Sequence, residues 1–500
     1  MKSLRSPVQR LAQRAFAVGL GVAPCLAVAQ FAPPDEWLRA PAVARIGYET
    51  ITLPGEERLG LVGTTYLIEV RPGLCVGPAV YGAASGQRGG FFTLGAEATL
   101  CTRLVGPLSL QAGLYVGGGG GGAAPVGGGL MLRPHVDLLW DFGAFRAGIA
   151  ASKVRFPNGQ IDSSQLGVVF DMELDFRYWP VGRTAMPWTD SGRTGMGVNR
   201  YLAVGGAYLP RSGSTGVSGA ALPSQIGYVG ARAEALLAPN VYVGLETNGA
   251  ASGGVDGYAE FLGTLGVEVP LGHDWFALGG RVALGMGGGG DVPVGGGLLA
   301  KAAFAASVRL SRDISLGLEA GWAYAPQGSF SAPFASLALR WALDPAPGQP
   351  GAVVREHWGA GVETFHDAAR KVGPSESLQS VSFKYTRFLG ETLYLTGQVQ
   401  SAYAGDAGAF IAGLFGGGGQ WRLGEGLLAG AELLVGAAGG GGVDTGGGAV
   451  VKPMAFVGVE MTPALSLRLG AGWVKAVKGG LDSPVLDLTM VFAFGVAGRP

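Results

Sequence analysis

From Leu166 to Tyr178 apolar side chains fall on every second residue. Leu166, Val168, Phe170, Met172, Leu174, Phe176 and Tyr178 share one face, opposite Gln165, Gly167, Val169, Asp171, Glu173, Asp175 and Arg177. The same alternation sets Leu337, Leu339, Trp341 and Leu343 against Ser336, Ala338, Arg340 and Ala342. It returns with Leu486, Leu488, Met490, Phe492 and Phe494 against Val485, Asp487, Thr489, Val491 and Ala493. A helix of 3.6 residues per turn would mix these sets, whereas a pleated strand keeps them apart. Segments of this kind recur along the chain, separated by short Gly, Pro, Asn or Asp turns. In the middle of the sequence they are expected near 200–210, 226–238, 240–251, 257–270, 275–287, 297–311, 314–325 and 333–343.

The pattern repeats on a larger scale. Three glycine tracts, "VGGGGGGAAPVGGG" ending at Gly129, "GMGGGGDVPVGGG" ending at Gly297 and "GAAGGGGVDTGGG" ending at Gly448, are each followed four residues later by a base: Arg133, Lys301 and Lys452. "AGW" recurs at Ala320–Trp322 and Ala471–Trp473. Fixed-period similarity of this sort marks a repeat architecture. The sequence divides into repeats at 44–179, 199–343 and 356–495, joined by Gly- and Pro-rich linkers at 180–198 and 344–355 and closed by a tail at 496–500. Each tract joins the fifth and sixth strands of its repeat, with Gly117, Gly122, Gly127 and Gly129 in the first hairpin, Gly287, Gly290, Gly295 and Gly297 in the second, and Gly439, Gly442, Gly446 and Gly448 in the third. Glycine admits the positive φ angles of hairpins and close backbone approach. Three such hairpins on one face would either fold inward over a mouth or offer a surface for other envelope proteins.

With eight strands per repeat the expected fold is all-β and antiparallel. Strands of about ten residues are long enough to cross a bilayer when tilted. One closed transmembrane barrel of about 24 strands would remove open edges between repeats, which lipid does not tolerate. Three tandem eight-stranded barrels are the alternative, because eight strands already close around a filled bore. A single barrel would place Arg133, Lys301 and Lys452 in one basic lumen ring attractive to anions, and Asp171, Glu173 and Asp175 in an acidic ladder confined to the first repeat.

Composition narrows the setting. The chain is 48% hydrophobic and 14% charged, with zero formal net charge, which argues against nucleic acid as a partner. Lys2, Arg5, Arg10 and Arg14 precede an apolar run from Ala15 to Ala29 that ends in "AVAQ", the pattern of a signal peptide over 1–29, followed by an N-terminal segment at 30–43. No later stretch has the unbroken apolar length of a spanning helix. An exported chain this apolar is either a large soluble β protein or a membrane barrel. Aromatic residues near strand ends (Trp140, Phe142, Tyr178, Trp179, Trp341, Phe492 and Phe494) read as interfacial girdles and favour the barrel. Beyond the leader, Cys75 and Cys101 lie equidistant from Arg88; a hairpin centred there would set them face to face, as a disulfide or as two free thiols.

Leader, alternating strands and the final "VLDLTMVFAF" together resemble outer-membrane β-barrel proteins of Gram-negative bacteria. The resemblance implies an outer-membrane location after removal of the leader, contact with outer-membrane lipid, and insertion by an assembly machinery that reads a terminal aromatic residue. Here Phe494 is followed by "GVAGRP", a departure from that ending. The implied function is a pore or export conduit with three Gly-rich hairpins at one mouth. A non-conducting structural or adhesive surface barrel and a soluble secreted β protein are the alternatives. Catalysis is not expected: His135, His273, His357 and His366 occupy unmatched places, and no nucleophile-elbow, metalloprotease or Cys/His metal spacing is present. No cofactor or metal is called for.

Overall fold

A computed structural model describes residues 37–188, 193–272, 275–344 and 351–499. The leader, residues 30–36, His273 and part of each linker lie outside the described residues. The first repeat supplies β1 (Leu38–Thr52), β2 (Arg58–Arg71), β3 (Leu74–Ser85), β4 (Phe92–Val105), β5 (Leu108–Gly120), β6 (Met131–Asp141), β7 (Arg146–Arg155) and β8 (Asp162–Tyr178). After a single 3-10 turn at Val181–Arg183 and a short β9 (Pro187–Trp188), the second supplies β10 (Arg200–Tyr208), β11 (Ile226–Ala238), β12 (Val241–Ala250), β13 (Ala259–Leu271), β14 (Phe276–Gly288), β15 (Leu298–Arg309), β16 (Ile314–Tyr324) and β17 (Ser331–Ala342). The third supplies β18 (Gly351–Ala368), β19 (Glu376–Phe388), β20 (Leu393–Ala404), β21 (Ile411–Gly424), β22 (Leu427–Gly439), β23 (Ala449–Thr462), β24 (Leu465–Ala476) and β25 (Asp482–Gly498).

Among the described residues, twenty-four of the strands, all but the linker's β9, close three barrels of eight rather than one barrel of 24. The expectation of a single large barrel is corrected in favour of its alternative. In each repeat the last strand returns to the first: β1 pairs with β8 from Leu38↔Tyr178 to Glu49↔Gly167, β10 with β17, and β18 with β25. These pairings close each repeat's sheet on itself; only the first residues of β18 take an outside strand, the linker's β9, through Gly351↔Trp188 and Ala352↔Pro187. The inward side chains favour the same closure, because opposite charges on facing strands can meet across a bore only eight strands around.

The alternation read from sequence divides inside from outside. Asp171 and Val169 are buried in the first bore, whereas Leu166, Val168, Phe170 and Met172 are exposed on the outer wall. The outer faces of the sixth to eighth strands of each barrel carry a continuous exposed apolar surface, including Leu138 and Ile149, Phe304 and Leu318, and Val457 and Leu469. At the end where each barrel begins and finishes, connections such as 72–73, 106–107 and 425–426 are tight; the opposite end carries the longer loops, among them 209–225 and the glycine tracts.

The three barrels pack in a closed cycle, and the glycine tracts are its joints. Gly127, Gly295 and Gly446 have φ of 60°, 68° and 63°, and Gly129, Gly297 and Gly448 have φ of 93°, 105° and 97°, so the three loops share one left-handed conformation. Each loop lies against the third strand of the next barrel. A Cβ added at Gly129, Gly297 or Gly448 would overlap the carbonyl oxygen of Ala402, Ala83 or Ala250 respectively. The first barrel's tract therefore rests on the third barrel, the third's on the second, and the second's on the first. Backbone bonds cross the joints, Gly89 N–H to the Gly295 carbonyl at 2.8 Å and Gly408 N–H to the Gly127 carbonyl at 3.2 Å. Where the joints converge, Phe92 and Ala84, Met286 and Phe261, and Ile411 form one apolar cluster with members from all three barrels.

Toward the terminus end the interfaces differ. Phe176 and Tyr178 of the first barrel pack edge-on against Trp358 and Phe494 of the third, with centroid separations of 5.1–6.2 Å. Between the second and third barrels Tyr201 stacks on Tyr385 at 5.2 Å, and Arg387, paired with Glu356 of its own barrel, also reaches Asp344 at 3.1 Å. Reading Tyr178, Trp179, Phe492 and Phe494 as a lipid girdle is corrected for these four, since they pack in clusters where barrel walls and linker meet. Trp140 and Phe142 remain exposed. The residues after Phe494 continue β25, where Gly495 and Trp179 exchange backbone hydrogen bonds of 2.7 and 2.9 Å.

The glycine joints make a stability prediction. Gly448→Val adds a branched side chain at a positive φ and against the Ala250 carbonyl. It should cost about 1–3 kcal/mol, read as a lowered unfolding temperature by circular dichroism of the detergent-solubilised chain. Gly413→Ala, in open space in a strand, should leave that temperature within experimental error.

Candidate functional site

Each bore is built from inward positions of eight strands, and each is filled by charged side chains that meet across it. In the first barrel Arg45, on β1, reaches Asp171 at 2.7 Å, Asp137 at 2.8 Å and Glu97 at 3.5 Å. His135 Nδ1 lies 2.9 Å from the Asp137 carboxylate. Arg133 donates to both Glu49 oxygens at 2.8 and 2.9 Å, and Ser152 donates to the same carboxylate at 2.6 Å. In the second barrel Arg232 and Arg281 share Glu246 and Glu319 at 2.7–3.0 Å. Lys301 pairs with Glu246 and Glu260. Below them Arg200 and Arg340 both reach Glu268. In the third barrel Lys452 donates to Glu363 at 2.6 Å and to Gln398 at 3.1 Å, and Lys384 pairs with Glu432.

Low local dielectric makes these contacts obligatory. A buried charge deprived of its partner costs several kcal/mol, so inward bases demand inward acids at matching depth. The cavities found in the first two bores are correspondingly small. A cavity in the first, lined by Arg45, Glu49, Tyr81 and Arg133, and one in the second, lined by Tyr242, Glu268, Glu319 and Arg340, each hold about 20 Å³, room for about one water.

The structure places the candidate residues as follows. Arg133, Lys301 and Lys452 all lie buried inside, at equivalent points of the sixth strand, but in three different bores. They form no common ring, a correction that follows directly from separate closure. Asp171, Glu173 and Asp175 are not a bare acidic ladder, because each has an arginine: Arg45 on Asp171, Arg146 on Glu173 and Arg39 on Asp175. Asp171 is fully buried, while the other two approach the mouth. Gly117, Gly287 and Gly439 lie in the last few residues of the fifth strands, which end at Gly120, Gly288 and Gly439; Gly122, Gly290 and Gly442 open the loops; Gly127, Gly129, Gly295, Gly297, Gly446 and Gly448 form the joints. Cys75 and Cys101 are free thiols. The register pairs Cys75 with Thr99 and Cys101 with Gln111, two residues away from the facing arrangement that a disulfide needs.

Sequence reasoning placed Glu246, a partner of Lys301, on the same inward face but missed the acids of Arg133 and Lys452, although a signal was present. "GYET" at Gly47–Thr50 and "GVET" at Gly361–Thr364 hold Glu49 and Glu363 at the same place in the first strand of repeats one and three. Repeat two has "GAY", and Tyr208 takes the position, its ring 5.0 Å from the Lys301 ammonium and its hydroxyl bonded to Glu260.

No protein family matches the chain, and no curated protein is similar to it. Among solved structures, the outer membrane protein opdK from Pseudomonas aeruginosa aligns at 10% identity over 91% of this chain and 98% of that one, with a TM-score of 0.24. The siderophore receptor PirA from Acinetobacter baumannii aligns at 10% identity over 91% of this chain and 80% of that one, with a TM-score of 0.27. OccK2 (OpdF) from Pseudomonas aeruginosa gives 11% identity, 92% and 98% coverage and a TM-score of 0.23. At these scores the functional reading rests on the chain's own geometry.

The bore pairs make a directional prediction. Lys452→Met leaves Glu363 buried without its cation and should destabilise the chain by about 3–5 kcal/mol. Adding Glu363→Gln should recover much of that loss, giving a non-additive double-mutant cycle in urea unfolding of the detergent-solubilised chain.

Proposed function

We propose that the chain is an integral outer-membrane protein of a Gram-negative cell, and that its three barrels form a sealed, non-conducting scaffold. The carrying observation is the division of each wall: exposed apolar side chains outside, ion-paired charges filling the inside. A soluble β protein inverts that arrangement, hiding its apolar face and wetting its charges. The signal-like leader and the combination of tight turns at one end with longer loops at the other support the same setting, with the termini toward the periplasm and the glycine joints outside.

Conduction through the barrels is disfavoured by what fills them. A solute passing the first bore would have to separate Arg45 from Asp171 and Asp137, and in the second Arg232 from Glu246 and Glu319. This reading assigns the outward loop face to contacts with other envelope components and gives the chain no catalytic role.

Two measurements test it. In planar bilayers the refolded full chain should give no stepwise conductance; steps of porin size would replace the sealed scaffold with the conduit. Phe304 is 84% exposed on the outer wall, so Phe304→Arg should destabilise the bilayer-inserted chain by up to about 2–4 kcal/mol, depending on depth. An unchanged or improved stability, with recovery in a detergent-free soluble fraction, would remove the membrane reading itself.

A further inference from the structure

The third bore is the exception to charge pairing. In the first two barrels every buried inward arginine or lysine has a carboxylate within 4 Å. In the third, Lys384 and Lys452 do as well. Arg468 and Arg355 do not: among the described residues, no acid lies within ion-pair distance of either. Arg468, on β24, is 6% exposed. It donates through one terminal nitrogen to His357 Nδ1 at 2.9 Å and Gln420 Oε1 at 2.8 Å, both uncharged acceptors when the histidine is neutral. Its Nε–H, buried, meets no acceptor. The guanidinium otherwise rests on the Phe456 ring, 4.8 Å from its centroid.

Arg355, on β18, lies nearer the terminus end. It stacks on the Phe388 ring at 3.7 Å and donates to the Glu391 carbonyl; its own Nε–H is also buried without an acceptor. Arg422, two residues beyond Gln420 on β21, stands exposed at the rim, paired with Glu460 at 2.8 Å. Arg355 is within electrostatic reach of Arg422 and Arg468 and, at the rim, of Glu460 and Glu391; Arg468 feels Glu432 and Asp487 beyond ion-pair distance. Aromatic faces partly offset the desolvation of a guanidinium, but they do not neutralise it, and acids beyond contact distance compensate two neighbouring buried cations less than a direct partner would.

We propose that the terminus-end mouth of the third barrel is a binding site for a phosphate-class oxyanion. Arg468 forms its floor and Arg355 its wall, and Arg422 marks the entrance. Guanidinium N–H groups in a forked arrangement suit tetrahedral oxyanions; unsatisfied Nε–H groups also occur at Arg146, Arg200 and Arg340 in the first two bores, but there each guanidinium keeps a carboxylate partner. The first two bores offer no equivalent, because their inward bases are already matched by acids. The source of the oxyanion is either free phosphate or a phospholipid headgroup reaching the mouth from the membrane. The site stands on bore geometry alone and does not depend on whether the barrels conduct.

The test uses the full chain in a non-ionic detergent, with inorganic phosphate as the probe at constant ionic strength. Phosphate should raise the unfolding temperature saturably, and Arg468→Gln should weaken that dependence at least about tenfold in apparent dissociation constant, the loss of one charge-assisted contact. Without phosphate Arg468→Gln should be as stable as the parent or more so, since it removes a buried charge that has no direct ion-pair partner. If it does not fold, Arg355→Gln at the wall carries the same expectation. A parent chain whose melting is indifferent to millimolar phosphate, or variants that keep the full response, would overturn the site. Reconstitution distinguishes the sources: loss of phosphate binding in phosphatidylglycerol bilayers but not in phosphatidylcholine bilayers assigns a lipid headgroup, and binding retained in both assigns free phosphate.

Discussion

Every feature of this chain depends on closing each eight-stranded sheet on itself. An open sheet edge exposes unpaired N–H and C=O groups, which are costly anywhere and prohibitive in hydrocarbon. The β1–β8, β10–β17 and β18–β25 pairings remove those edges within each repeat. A narrow bore follows, and with it the requirement that inward charges find partners across a few ångströms. Arg45 with Asp171 and Lys452 with Glu363 are products of that narrowness. In a wide barrel the same side chains would have stood in water.

Closure also explains the glycine tracts. Three complete barrels can associate only through their walls, and a wall studded with side chains keeps backbones apart. Removing the side chains at the fifth-to-sixth hairpin lets one barrel's main chain lie on its neighbour's, as at Gly129 on Ala402. Glycine costs roughly 0.5–1 kcal/mol of conformational entropy at each ordered position. That cost is offset by backbone bonds across the joint and by the shared cluster of Phe92, Met286 and Ile411. The contact is head-to-tail, using a different patch on each partner, and a rotation that returns to its start after three steps forms a ring instead of a filament.

Much of this was legible in the sequence, and the losses have specific causes. Period-two alternation located the strands of the second repeat to within about two residues, and it separated Asp171 from Phe170 correctly, because strand geometry allows no other reading. Which strand pairs with the last one is not encoded in alternation, since β8 could in principle pair with β10 as readily as with β1. Outward aromatic residues were ambiguous for the same reason: Phe494 against another barrel and Trp140 at the exposed wall obey one pattern. The cysteine pairing failed through hairpin register. A centre shifted by one residue moves the partner by two, and Cys75 meets Thr99. The acids opposite Arg133 and Lys452 were recoverable from the shared G-x-E-T, but only with the knowledge that first and sixth strands face each other across a small bore.

Joining the three units in one chain releases them from the identity that a homotrimer imposes. The joints keep their common geometry, because backbone contacts tolerate few alternatives. Elsewhere each interface has its own chemistry: Phe176 on Phe494 between the first and third barrels, and Arg387 with Asp344 and Tyr201 on Tyr385 between the second and third. Such differences bias the order of the barrels around the ring, since a wrong neighbour would leave Arg387 with Glu356 of its own barrel but without Asp344. The bores diverge in the same way. Tyr208 replaces a glutamate in the second, and Arg468 faces His357 rather than an acid in the third. A shared wall with unlike interiors permits one barrel to specialise while the other two hold the assembly together.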